Sequence, residues 1–284
     1  MRPAPPSLLQ LALALLLAAA PGPGWAGEPS LAAAPPPPSP LAPDLRPRLT
    51  LDFSTHAWWT GGLLVVAGGT QLLSDRLAPP ACRWCEPPQV DRWARHQLLW
   101  SDTKGATAIG NGLIVVVPVG AAVALGFMAH ADGAGFREGA EDLLVMSEAT
   151  AVTLVLMQAA KFSAARLRPD AWAGSGSKTA NSRMSFFAGH SSTAFAVAAS
   201  ATQVLRLRGR KGWGWFAAAA FTGAAASGYF RIASDNHWTS DVVAGALVGT
   251  AVGLSLPPLV LHDAGPGSSA ITLAPAPGGL AIHF

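Results

Sequence analysis

GYFRIASDNHWTSD, residues Gly228–Asp241, sets an arginine, a histidine and a carboxylate at spacings that suit phosphate chemistry. Arg231 stands six residues before His237 and Asp241 follows it by four, so a helix would carry imidazole and carboxylate to one face. A carboxylate bonded to one ring nitrogen fixes the tautomer, leaves the other nitrogen's lone pair free to attack, and stabilises the cation formed afterwards. Arg231 is then placed to grip an anion. The competing reading makes Asp241 a helix cap and His237 a satisfied interfacial histidine. The apolar runs on either side, 212–228 and 242–261, read as membrane spans that meet at this stretch.

Working outward, half of the 284 residues are hydrophobic and 12% are charged, against roughly 25% charged in soluble domains. The chain therefore reads as an all-α, membrane-embedded bundle of five to six apolar helices with its active site at one membrane face. Residues 106–129 and 140–161 are two further spans, and Thr193–Leu205 is an alanine-rich helix. Trp58–Leu73 is Gly-rich and either spans or lies at the surface. Glu148 and Gln158, inside a span, are expected to turn toward the bundle interior as interhelical hydrogen-bonding residues. The net charge of +3 comes mostly from short basic clusters. These suit anionic lipid or an anionic substrate, and no nucleic-acid motif accompanies them.

Residues 1–26 read as an export signal: Arg2, an apolar run from Leu11 to Ala20, then Gly24-Trp25-Ala26. The alternative is a short uncleaved anchor. Residues 27–48, with Pro35 to Pro38 consecutive, form a Pro/Ala-rich linker. Residues 49–105 hold the N-terminal apolar segment and a CxxC loop, 106–262 the helical bundle, and 263–284 a tail resembling a hairpin around Gly278-Gly279. Cys82 and Cys85 are the only cysteines, with no second CxxC or paired histidines beside them, so a disulfide in an exported loop is expected over zinc. Asp91 is placed to cap a polar helix running to Trp100.

Two more clusters join the first. In KFSAARLRPD, Lys161 and Arg168 are seven residues apart, two helical turns, so both can point at one anion. Pro169 should stop that helix at Arg168 and release a polar loop over 170–187. The loop closes with SFFAGHSS, which puts Gly189 and His190 at the start of the next helix, where free amides and the positive dipole end favour an anion. His190 is then placed to protonate a leaving oxygen. One cluster ends a span, one begins the next, and one joins two more, so all three share a side of the membrane.

These residues resemble the type 2 phosphatidic acid phosphatase superfamily, which also includes vanadium haloperoxidases and bacterial acid phosphatases. Its first motif, Lys-x6-Arg-Pro, matches Lys161, Arg168 and Pro169. The second, usually Pro-Ser-Gly-His, reads Phe187-Ala188-Gly189-His190 here, with Ala188 in place of a serine that helps hold phosphate. The third, Arg-x5-His-x3-Asp, matches Arg231, His237 and Asp241. The resemblance, over 140–261, implies that His237 attacks phosphorus, Asp241 orients it and His190 protonates the leaving group. Lys161, Arg168, Arg231 and the Gly189 amide would bind the equatorial oxygens, with no metal and no cofactor. The expected activity is hydrolysis of a lipid phosphate or diphosphate through a phosphohistidine. The alternatives are a lipid phosphotransferase using the same intermediate, or a non-catalytic membrane protein with a degenerate site. The expected location is a bacterial-type inner membrane with the site facing the periplasm, because the basic turn at 206–211 lies on the opposite side.

Overall fold

Among the described residues, six long helices carry the apolar runs. In chain order the elements are β1 (Leu49–Thr50), α1 (Phe53–Leu72), α2 (Ser74–Leu77), α3 (Gln89–Leu98), α4 (Thr103–Ala131), α5 (Phe136–Ala164), α6 (Pro169–Trp172), a 3-10 turn (Ala180–Arg183), α7 (Gly189–Leu207), α8 (Trp213–Ala233), α9 (Thr239–Val260), β2 (His262–Asp263), β3 (Thr272–Ala276) and β4 (Gly279–His283). The computed structural model describes residues 49–176, 179–263, 272–276 and 279–283, so the expected export signal and linker lie outside it. Asp52 and Asp102 cap α1 and α4, accepting the Thr55 and Gly105 amides at 3.3 and 2.9 Å. Helices α4, α5 and α9 are long and apolar enough to cross a membrane. Valines 115, 116, 119 and 123 and Phe127 leave α4 with a broad exposed apolar face, as lipid contact requires.

Helix α7 is the axis. Twelve of its 19 residues are buried, and α4, α5, α8 and α9 pack around it. Its closest partner is α9, whose Gly245, Gly249 and Gly253 recur every four residues and face the α7 backbone. A Cβ at Gly245 would lie 2.7 Å from the Ala188 carbonyl oxygen and one at Gly253 2.6 Å from that of Ala196, while one at Gly249 would collide with that of Ser192. Small residues let two helices without a hydrophobic driving force approach backbone to backbone. The two run parallel, which brings both N-termini to one end.

Helix α1 packs on α5. His56 Nδ1 lies 2.8 Å from Glu148 Oε2, and Gln158 donates to Gln71 at 2.9 Å, so both polar residues of the second span are interhelical bonding residues. At 20 residues, α1 runs roughly 30 Å, a membrane's hydrocarbon thickness.

The basic turn differs from its expected role. Arg208 and Arg210 are buried and paired: Arg208 with Asp142 at 2.8 Å and Glu141 at 3.4 Å, Arg210 with Glu138 at 2.5 Å and Asp132 at 3.4 Å. Arg208 also donates to the Leu49 carbonyl. These arginines tie the far end of the bundle together, and Arg206 and Lys211 are the exposed cations of the turn. At that end β1 pairs antiparallel with β2. In the tail β3 pairs antiparallel with β4, Thr272 opposite His283, the hairpin read from the sequence.

Candidate active site

Helix α5 ends at Ala164, four residues before Arg168, and Ala165 takes a left-handed conformation at φ 47°. Lys161 and Arg168 therefore do not share a helical face, as their spacing predicted. The reason is Arg166, which lies between them, 1% exposed, and has to turn inward. The CxxC loop holds this break in place. Arg83 N donates to the Ala165 carbonyl at 3.1 Å, Leu167 N to that of Trp84 at 3.1 Å, and the Trp84 ring lies 3.7 Å under the Arg166 guanidinium. Cys82 and Cys85 form the expected disulfide.

Arg168 is nonetheless aimed at the same place as Lys161. Its Nε donates to the Asn181 carbonyl at 2.9 Å, Nη2 to Asn181 Oδ1 at 3.1 Å and Nη1 to the Asn236 carbonyl at 2.9 Å, which leaves two of five N–H groups for a ligand. Lys161 is 9% exposed, and a Cβ at Gly189 would lie 3.8 Å from its Nζ, so the first and second clusters touch. Gly189 is the first residue of α7 and His190 the second. His190 Nε2 lies 3.1 Å from Asn111 Oδ1 on α4, and Arg231 Nη1 donates to the same oxygen at 3.3 Å.

His237 sits in the short α8–α9 connection, 3% exposed. Its Nδ1 lies 2.9 Å from the Ser185 carbonyl oxygen but 3.7 Å from Asp241 Oδ2. The expected carboxylate–imidazole hydrogen bond is thus replaced by a backbone carbonyl, because Asp241 is committed elsewhere. Its Oδ2 accepts from Ser185 Oγ at 2.5 Å and from the Trp238 amide at 3.0 Å, and its Oδ1 from Arg166 at 2.5 Å. Asp241 both caps α9 and fixes the serine whose carbonyl holds the ring. A carbonyl only accepts, so Nδ1 carries the proton and the lone pair is on Nε2. Burial first, then the charges of Arg168, Arg231 and Lys161 and the neighbouring His190, hold His237 well below the usual histidine pKa. The ring is thus held neutral, with its Nε2 lone pair available.

Helix α3 braces this loop from outside. Asp91 does not cap it: the helix begins two residues earlier, and Asp91, 1% exposed, accepts from Arg166 at 2.6 Å and from the Ser240 amide and hydroxyl at 2.9 and 2.6 Å. Arg95 makes a bidentate pair with Asp235, both contacts 2.6 Å, where the chain turns at φ 62° just before His237. Arg166, Asp91, Ser185 and Asn111 are site-building residues that spacing alone does not reveal, since each acts across helices.

All seven residues read from the sequence thus lie at one end of the bundle. Lys161, Arg168 and Arg231 form a cationic cluster beside two helix N-termini, with His237 and His190 at its edge. Such an arrangement suits a tetrahedral anion and sets two imidazoles beside it.

Residues 142–262 match the PAP2 superfamily model. Over 112 residues the chain is 35% identical to the lipid A 1-phosphatase of Porphyromonas gingivalis, a stretch covering 39% of this chain and 22% of that protein. It thus spans about a fifth of the length of the curated relative it matches. A crystal structure of a transmembrane PAP2-type phosphatidylglycerolphosphate phosphatase from Bacillus subtilis aligns with 72% of this chain and 96% of its own, at 19% identity and a TM-score of 0.38. The stretch that is similar to the PAP2 superfamily, residues 142–262, holds all seven of the residues read from the sequence.

Proposed function

We propose that the protein hydrolyses a phosphate monoester or diphosphate carried by a membrane lipid, through a phosphohistidine at His237 and without a metal. The observation that carries this is the His237 ring: Nδ1 is engaged by the Ser185 carbonyl, and Nε2, which has no hydrogen-bond partner among the described residues, is free to attack. The N–P bond forms as the bond to the leaving oxygen breaks, and His190 supplies that oxygen with a proton. Lys161, Arg168, Arg231 and the Gly189 amide meet the charge growing on the three equatorial oxygens, the part a metal ion plays in other phosphoryl-transfer enzymes. Asp241, 3.7 Å from Nδ1, stabilises the positive ring of the intermediate through space. Water then takes the phosphoryl group from His237.

A lipid substrate follows from the setting, an anion site at the end of a bundle with a broad apolar face on α4. The periplasmic orientation is supported by the Cys82–Cys85 disulfide on the site's own end, since disulfides persist in oxidising compartments. Because α1 begins at the opposite end, this orientation puts residue 49 on the cytoplasmic side. The activity is tested with purified protein and a panel of lipid phosphates in EDTA. Phosphate release that persists with chelator and vanishes in His237→Ala is expected. Dependence on an added divalent ion, or an active His237→Ala, would contradict it.

A further inference from the structure

Asn111 belongs to none of the three clusters, yet it touches two of them. It lies on α4 between Gly110 and Gly112, with its side chain exposed, where the cationic cluster gives way to the apolar face of Val115, Val119 and Val123. Its Oδ1 lies 3.1 Å from His190 Nε2 and 3.3 Å from Arg231 Nη1. A guanidinium has only donors, so the atom facing Arg231 is the carbonyl oxygen and not the amide nitrogen. The His190 nitrogen sharing that oxygen must then carry a proton.

We infer that Asn111 is a positioning residue for proton transfer: its carbonyl holds His190 with the proton-bearing Nε2 at the mouth of the site, on the side where a lipid's leaving oxygen arrives. This rests on the phosphatase reading above. The His237 Nε2 lone pair forms the N–P bond, the P–O bond to the lipid alcohol breaks, and the leaving oxygen takes the Nε2 proton of His190. Burial and the Arg231, Lys161 and Arg168 charges otherwise lower the His190 pKa to about 4, and the ring is an imidazolium when the negative charge of a bound phosphate offsets them. In the second half a water oxygen bonds to phosphorus, its proton goes to His190 Nε2, and the N–P electron pair returns to His237. His190 is again an imidazolium, one water has been consumed, and alcohol and phosphate have left. Asn111 Oδ1 accepts from the same N–H before the first transfer and after the second, so the ring need not search for its position in each cycle. Arg231, bonded to the same oxygen, links the position of the acid to that of the phosphate.

Asn111 is poorly placed to serve folding. It is exposed, its Nδ2 makes no hydrogen bond among the described residues, and leucine is a better helix former at that position. The test is kinetic and uses the full chain in detergent with two substrates, dioctanoyl phosphatidic acid and p-nitrophenyl phosphate. An alkoxide leaves poorly without a proton, whereas nitrophenolate leaves nearly unaided. Positioned proton transfer is typically worth about 10²–10⁴-fold, and a misaimed acid forfeits part of that. Asn111→Leu should therefore lower the ratio of alkyl to aryl kcat by about tenfold or more, and Asn111→Asp, which keeps the accepting oxygen, should restore the ratio while raising KM for both substrates. An unchanged ratio in Asn111→Leu would overturn the inference, as would a lowered ratio that Asn111→Asp fails to restore. An inactive wild type, or an active His237→Ala, would instead sink the phosphatase reading beneath it.

Discussion

Arg166 shows how one residue can hold a site it does not enter. Its two terminal nitrogens bind Asp91 at 2.6 Å and Asp241 at 2.5 Å, and its face stacks on Trp84. Both carboxylates are 1% exposed or less. Replacing one partner of such a buried set leaves the others as uncompensated charges, at a cost of about 3–5 kcal/mol. Arg166→Ala should thus lower the unfolding temperature markedly. Arg166→Lys, which keeps the charge but loses the planar fork, should fold better yet still release Asp241, Ser185 and through them His237. Thermal unfolding followed alongside phosphate release checks this, and a lysine variant with full activity would show that the fork is not what positions the ring. Lys161, Arg168, His190, Arg231 and His237 were legible as candidates because each lies at a fixed spacing in its own segment, and the fold brings them to one end of the bundle. Spacing alone misassigned the Asp241 bond and the role of Asp91, because a carboxylate's partner is decided by which donors the fold brings to it. For Asp241 those donors come from residues 166, 185 and 238.

At the scale of elements, the paired helices α7 and α9 set the distance between the two histidine-bearing N-termini. Alanine is normally better than glycine inside a helix by about 1 kcal/mol. At Gly249 the opposite is expected, because the added Cβ collides with the Ser192 carbonyl oxygen, backbone that cannot step aside as a side chain can. Gly249→Ala should lower stability and activity together, whereas Gly120→Ala, with nothing within 4 Å, should leave folding intact. Equal unfolding temperatures for the two variants would argue against a close α7–α9 contact. The spans α4, α5 and α9 were legible from apolar length, whereas 212–228, also read as a span, forms α8, which is not among the helices apolar enough to cross a membrane. The stripe Gly245, Gly249 and Gly253 was equally present in the sequence as a repeat of small residues every four positions, and its reading as a packing face needed the partner helix. The early end of α5 was not legible, since Pro169 marks only the latest place where the helix can stop.

For the molecule as a whole, the site and the start of α1 occupy opposite ends of the bundle, and the chain crosses between them six times if α1 spans. An exported, cleaved N-terminus and a periplasmic site then exclude each other. In the basic turn Arg208 and Arg210 are buried among Asp132, Glu138, Glu141 and Asp142, while Arg206 and Lys211 remain exposed. The disulfide favours the periplasmic site. In intact cells an impermeant maleimide should label Ser101→Cys, at the site's end, and not Lys211→Cys, at the other, and the reverse pattern would put the site in the cytoplasm. Everything mechanistic converges on one atom, His237 Nε2. The most direct measurement is to mix the protein with a lipid phosphate, quench in alkali within a turnover, where phosphohistidine survives, and map the modified residue by mass spectrometry. Phosphate on His237 is predicted. Turnover with no phosphoprotein at any quench time, or phosphate on another residue, would contradict the account.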